Sequence, residues 1–171
     1  MSGTYPAVMG DRGRLVVPAE LRERFDLHPG ASLVDNLLAD RRRSAADEDM
    51  NLFDSSALLC FLQDEDGSDI VERKLLGGGA CSAVNWSETA QKVRGRGSRD
   101  WGLSRGLLLS YEVTVEPVRA EDAELAAVLW GAGSGLSLAD RLCLATAERL
   151  EATVWTADAA WGTAGRARQV R

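Results

Sequence analysis

From Met50 onward, short β-rich runs alternate with segments long enough to be helices, and this alternation restricts the fold more than any other feature of the chain. Residues 52–53 read as a short buried strand, and residues 56–62 continue into an apolar helix. Residues 70–76 read as a helix closed by Gly77-Gly78-Gly79. A small-residue strand is expected at 80–84, followed by a helix through Trp86, Ala90 and Val93 and a basic, glycine-containing loop at 94–100. Residues 111–118 alternate as a strand, 120–130 and 138–150 read as helices, and 153–156 reads as a last strand. Tight turns join antiparallel strands, whereas helix-length connections carry the chain back to start a parallel neighbour. The expected fold class is therefore α/β, an α/β/α sandwich with a parallel sheet covered on both faces.

Composition shifts once, at residues 41–49, where Arg-Arg-Arg-Ser-Ala-Ala-Asp-Glu-Asp forms a polar run without apolar periodicity. This divides the chain into a segment at 1–40, a linker at 41–49 and a domain at 50–171. The first segment falls below the roughly 55–65 residues at which small domains fold unaided, so it is expected to need its own copy in a dimer or the larger domain. It reads as a strand at 5–9, a turn at Gly10-Asp11-Arg12-Gly13 and a β-rich run at 14–17. Pro18 suits a first helical position, Leu21 and Phe25 share one helix face, and Leu27-His28-Pro29-Gly30 ends that helix. His28 reads as a helix-ending residue.

No apolar run approaches the roughly 20 residues of a membrane span, and the start lacks the pattern of a secretory signal, so the cytoplasm is the expected compartment. Cys60, Cys81 and Cys143 are odd in number and form no CxxC pair, which reads as buried free thiols. A single histidine argues against a multi-histidine metal site or a Ser–His–Asp triad. The net charge of −6 and pI near 4.9 argue against a chain that coats nucleic acid through a basic face. They leave a nuclease open, because carboxylates gathered to hold Mg²⁺ make a protein acidic while preparing it to meet phosphate.

Sites in parallel sheets form where the carboxyl ends of strands meet the following loops and helices. Asp54 follows the first strand directly, and Asp158 follows the last. Glu88 lies in the first turns of the helix after the second strand, and Asp140 in the first turn of another, at capping-box spacing from Ser137. A preference of helix starts for negative charge explains Glu88 and Asp140 well, but Asp54 and Asp158 poorly.

The residues around these acids resemble a known family. Met50-Asn51-Leu52-Phe53-Asp54-Ser55-Ser56-Ala57-Leu58 looks like the opening of PIN-domain nucleases, particularly VapC toxins. Ser82-Ala83-Val84-Asn85-Trp86-Ser87-Glu88 resembles the second acidic motif, Leu136-Ser137-Leu138-Ala139-Asp140-Arg141-Leu142 the third, and Thr156-Ala157-Asp158 the fourth. The resemblance covers residues 50–161 and implies a PIN-like sandwich that cleaves RNA with Mg²⁺ or Mn²⁺. It carries the catalytic and metal-binding acids over to Asp54, Glu88, Asp140 and Asp158. Asp54 and Asp158 would hold a first metal most directly, Asp140 would complete or share it, and Glu88 would orient water or meet a second ion. Ser55 and Thr156 would donate hydrogen bonds behind the metal ligands or to substrate, with turn and strand-end bonding as the equal alternative.

The first segment carries a second resemblance. Gly10-Asp11-Arg12-Gly13-Arg14-Leu15-Val16-Val17-Pro18-Ala19-Glu20-Leu21-Arg22, followed by Leu27-His28-Pro29-Gly30, looks like the AbrB/MazE swapped-hairpin domain at about residues 4–38. That resemblance implies a homodimer that meets operator DNA through Arg12, Arg14 and Arg22. The sequence departs from the family after Gly30, where Leu33-Val34-Asp35-Asn36-Leu37-Leu38 is short for the second half of the hairpin. A remnant of an antitoxin fused to its toxin is the alternative.

The leading function is a toxin-type endoribonuclease with an RNA substrate and an antitoxin as partner. The alternative is a DNA-binding antitoxin-like regulator whose PIN domain is only an interaction surface, and a third reading is a PIN nuclease with a housekeeping substrate. Arg41, Arg42 and Arg43 would reach the acidic cluster, since the seven residues to Met50 span roughly 23 Å when extended. They would then be self-inhibitory, with a solvated linker as the alternative. Of the five tryptophans, Trp130 and Trp155 fit core positions, Trp86 borders Glu88, and Trp101 and Trp161 are candidates for substrate stacking or packing. Arg94, Arg96, Arg99, Arg166, Arg168 and Arg171 would collect RNA phosphate or form a solvated surface.

Overall fold

A computed structural model describes residues 8–10, 14–16, 50–95, 101–162 and 165–171. The chain separates into two compact units, Met1–Ser44 and Ala45–Arg171. In the first, strands β1 (Val8–Gly10) and β2 (Arg14–Val16) pair antiparallel, with Val8 opposite Val16. The described parts of the β-rich runs read at 5–9 and 14–17 thus pair with each other, while the turn expected between them lies outside the described residues. Arg12, Arg22, His28, Arg41, Arg42 and Arg43 lie outside the described residues.

The second unit is built on a five-stranded sheet in the order β5-β4-β3-β6-β7, with every neighbouring pair parallel. The strands are β3 (Asn51–Phe53), β4 (Gly79–Ser82), β5 (Val113–Glu116), β6 (Thr153–Thr156) and β7 (Ala167–Gln169). The helices are α1 (Ser55–Gln63), α2 (Ser68–Leu75), α3 (Ala83–Gly95), α4 (Trp101–Ser110), α5 (Ala120–Val128) and α6 (Leu138–Leu150). A short 3₁₀ turn spans Ala159–Trp161.

Successive strand residues point to opposite faces, and the two cores separate on that alternation. Phe53 and Cys81 pack with Leu58, Val71, Leu75 and Leu108 of α1, α2 and α4. Their neighbours Leu52 and Ala80 pack on the other face with Cys143 and Ala147 of α6. Both faces of the central strands are therefore dry, as the α/β/α class requires. Gly79 starts β4 at φ +153, and a Cβ there would stand 2.6 Å from the Asn51 carbonyl oxygen and 2.8 Å from the Phe53 ring. Only glycine lets β4 lie this close to β3 in that conformation.

Several sequence expectations are corrected. The sheet does not end at β6, because β7 adds a fifth parallel strand at its edge. A helix, α4, occupies the stretch between the basic loop and β5 that carried no assignment. Strand β4 stops at Ser82 and the chain turns straight into α3, so Ala83 and Val84 are helical. Trp130 is 64 % exposed beyond the end of α5 and has no place in the core. Cys60, Cys81 and Cys143 are buried free thiols, as their apolar neighbours predict. Among the described residues, no helix is long and apolar enough to cross a membrane.

Candidate active site

The site begins where β3 ends. Asp54 follows the buried Phe53, its N–H bonds the Trp155 carbonyl of β6 at 3.1 Å, and its extended backbone makes it the N-cap of α1. Its Oδ1 accepts the Ala57 N–H at 2.7 Å, the usual satisfaction of an orphan donor at a helix start. Ser56 places its hydroxyl 2.8 and 2.9 Å from the two carboxylate oxygens. Thr156 donates to Oδ2 at 3.0 Å, and the two hydroxyls stand 3.2 Å apart. The Ser56 hydroxyl also accepts the Ala157 N–H at 2.8 Å, tying the start of α1 to the end of β6.

Asp54 is only 2 % exposed, and every donor it uses is neutral. Burial pushes its pKa up to about 6, and the charge of Asp140 adds to the rise, against the lowering effect of the Ala57, Ser56 and Thr156 hydrogen bonds. The carboxylate is thus charged at neutral pH, buried, and paired with no cation among the described residues.

Glu88 projects from α3 and is held at both oxygens. Ser55 donates to Oε2 at 2.7 Å, and the Lys92 ammonium stands 2.7 Å from Oε1. Burial raises its pKa, but the hydrogen bonds and charge of Lys92 and the Ser55 hydrogen bond outweigh it, leaving Glu88 below the ordinary glutamate value. Asp140 lies in the first turn of α6 and closes a capping box: its Oδ2 accepts the Ser137 N–H at 2.7 Å, and Ser137 Oγ accepts the Asp140 N–H at 3.2 Å. Asp158 caps the 3₁₀ turn through the Ala160 N–H at 2.9 Å, and its own N–H bonds Thr156 Oγ1 at 3.0 Å.

Asp54 is the common point of this arrangement. Ser55 ties Glu88 to the residue beside Asp54, and the charge of Asp140 acts on Asp54 itself. Asp158 is exposed and reaches Asp54 only through Thr156. Among the described residues, no three acidic, cysteine or histidine side chains are drawn together closely enough to grip one ion. Each acid instead satisfies local donors. The donor set nevertheless fits a hard divalent cation, since it offers carboxylate oxygens and a buried Asp54 that no cation among the described residues balances.

Ser55 bonds Glu88 and Thr156 bonds Asp54. Ser56 and Lys92 are members of the site that reading missed. Ser56 shares the Asp-Ser-Ser run with Ser55, and Lys92 stands four residues after Glu88, one turn along the same helix face. Of the aromatics, Trp161 is buried and Trp86 packs edge-on against Trp101 at 5.2 Å. Trp155 donates to Asn51 Oδ1 at 2.8 Å. Arg166 and Arg171 are paired with Glu148 and Glu65, while Arg168 bonds the Gly165 and Ala167 carbonyls. Arg94 is exposed on α3, and Arg96 and Arg99 lie outside the described residues.

A parallel sheet between two helical layers, with acids at the carboxyl ends of its strands, defines an α/β/α protein with an acidic site. The family model for the PIN domain matches residues 52–166, and the chain belongs to that family. A search of curated proteins found no match. Among solved structures, the fold is similar to a toxin-antitoxin complex from Klebsiella pneumoniae, with TM-score 0.57 and 18 % identity over 71 % of this chain and 98 % of that one. It is also similar to VapC20 of Mycobacterium tuberculosis, a sarcin-ricin loop cleaving toxin, with TM-score 0.54 and 19 % identity over 68 % of this chain and 95 % of that one. The family match begins at residue 52 and so lends no support to the AbrB/MazE resemblance of the first segment.

Proposed function

We propose that this chain is a metal-dependent endoribonuclease of the toxin–antitoxin VapC type, with RNA as substrate and an antitoxin as partner. The observation that carries the reading is Asp54, a buried carboxylate at the end of the central strand with no cation among the described residues to balance it. Holding an unpaired charge out of water costs stability, and a fold that keeps one there is prepared for a cation. The two structural neighbours support the toxin class, and one of them is a toxin that cleaves the sarcin-ricin loop.

In this reading Asp54 and Asp140 would hold Mg²⁺ or Mn²⁺, with Glu88 and Asp158 at its margin. Bound there, the ion would lower the pKa of a water and offset charge on the scissile phosphate. Ser56 and Thr156 fix the two oxygens of Asp54, so a ligand would find the carboxylate already oriented. Ser55 does the same for Glu88.

The test is RNA cleavage by the full chain with Mg²⁺, with EDTA, and for Asp54→Asn, Asp140→Asn and Asp158→Asn. The expected result is EDTA-sensitive cleavage lost by about 100-fold or more in the first two variants, and reduced less in the third. Full cleavage by Asp54→Asn, or cleavage that survives EDTA, refutes the reading. Retention of operator DNA with no cleavage of RNA would favour the antitoxin-like regulator instead.

A further inference from the structure

Four candidate acids lie after strands or at the starts of the helices that follow them, where, on the ribonuclease reading, a polyanion must be received. Among the described residues, Lys92 is the only cation that pairs with any of them. Its ammonium stands 2.7 Å from Glu88 Oε1, and the other oxygen of Glu88 is held by Ser55, the residue next to Asp54. Glu88 is therefore pinned toward the start of α1, and it holds the lysine head at the edge of the acidic site. The Lys92 side chain is 46 % exposed. An ammonium carries three donors, and Glu88 occupies one of them.

From this placement we infer that Lys92 is a substrate-positioning residue, an anchor for an RNA backbone phosphate next to the one that is cut. This rests on the ribonuclease reading and adds to it the group that brings the RNA backbone against the acids. Lysine suits the role as a compact charge on a flexible stem, able to keep Glu88 while turning its remaining donors outward. A Glu–Lys pair four apart also occurs as a plain brace on helix surfaces. The two roles differ in what they do to RNA binding. A brace leaves the ionic-strength dependence of binding unchanged, whereas each phosphate neutralised on a single strand contributes about 0.7 to the slope of log affinity against log salt.

The experiment compares the full-length wild type with Lys92→Gln and Lys92→Arg. Cleavage of a mixed-sequence single-stranded RNA gives kcat and KM. Binding of the same RNA to the Asp54→Asn protein in EDTA, with and without Lys92→Gln, gives the salt slope apart from catalysis. The expected result is a raised KM at nearly constant kcat, a slope lower by about 0.7, and retention of both by Lys92→Arg. An unchanged slope, or a fall in kcat at constant KM, overturns the anchor and leaves Lys92 a brace for Glu88. A wild-type protein that neither cuts nor binds RNA overturns the ribonuclease reading, and the anchor with it.

Discussion

Replacing Asp54 by Asn should make the metal-free protein more stable, and by an amount that depends on pH. The Asp54 carboxyl has its pKa raised from 3.8 to about 6, with burial as the main cause. The folded state therefore holds this proton more tightly than the unfolded chain does. Below about pH 3 both states are protonated and the group contributes its full stability. As pH rises toward 6 the unfolded chain releases its proton first, and stability falls by about 1.4 kcal/mol for each unit of difference, or about 3 kcal/mol in all. Asparagine has no proton to lose. It keeps an oxygen for the Ala57 N–H, and the Ser56 and Thr156 hydroxyls can rotate to accept from its amide. Denaturant unfolding in EDTA, at pH 4 and at pH 8, measures the difference between variant and wild type. The expected gain from Asp54→Asn is about 0.6 kcal/mol at pH 4 and about 3 kcal/mol at pH 8. Adding Mg²⁺ at pH 8 should stabilise the wild type and narrow that gap. A variant no more stable than wild type at pH 8, or a gain that does not change with pH, would refute the account of Asp54 as a buried unbalanced charge.

Two further predictions concern the frame that positions the site. Gly79→Ala should destabilise the fold by about 3 kcal/mol, because the new Cβ meets the Asn51 carbonyl and the Phe53 ring at a φ that L-residues rarely adopt; an unchanged urea midpoint would contradict this. Arg149 joins α6 to Asp122 of α5 at 2.8 Å and lies 3.7 Å from Glu116 of β5, while Asp122 is 1 % exposed. Burial raises the pKa of Asp122, but the Arg149 and Arg119 hydrogen bonds outweigh it and hold the carboxylate below its ordinary value. Arg149→Ala should cost about 2 kcal/mol by leaving the buried Asp122 carboxylate without its cation, and the loss should shrink in the Asp122→Asn background, which a double-mutant cycle measures.

Much of the architecture is legible along the chain because it rests on local chemistry. Helix-length spacers between short β-rich runs leave a parallel sheet as the main solution, and Ser137 with Asp140 marks the start of α6 by side chains that cap their own helix. Asp54 is legible for the same reason, as an acid placed directly after a buried strand. Other features depend on partners distant in sequence. Strand β7 is three residues long and exists because Ala167, Arg168 and Gln169 pair with Val154, Trp155 and Thr156. Helix α4 carries two glycines that weaken its local signal, and it forms around Leu108, which is buried against the sheet. Trp130 looks like a core residue by composition, and only the end of α5 leaves it in water. The relation among the acids is likewise tertiary. Ser56 bonds Asp54 across the same turn but reaches Thr156 a hundred residues away, and that closure draws Asp158 toward Asp54 through a hydroxyl rather than through its carboxylate. Which acids share a field, and that Glu88 is already held by Ser55, follows from how β3, β4 and α6 stack, because electrostatic coupling depends on distance through the fold and not on spacing along the chain.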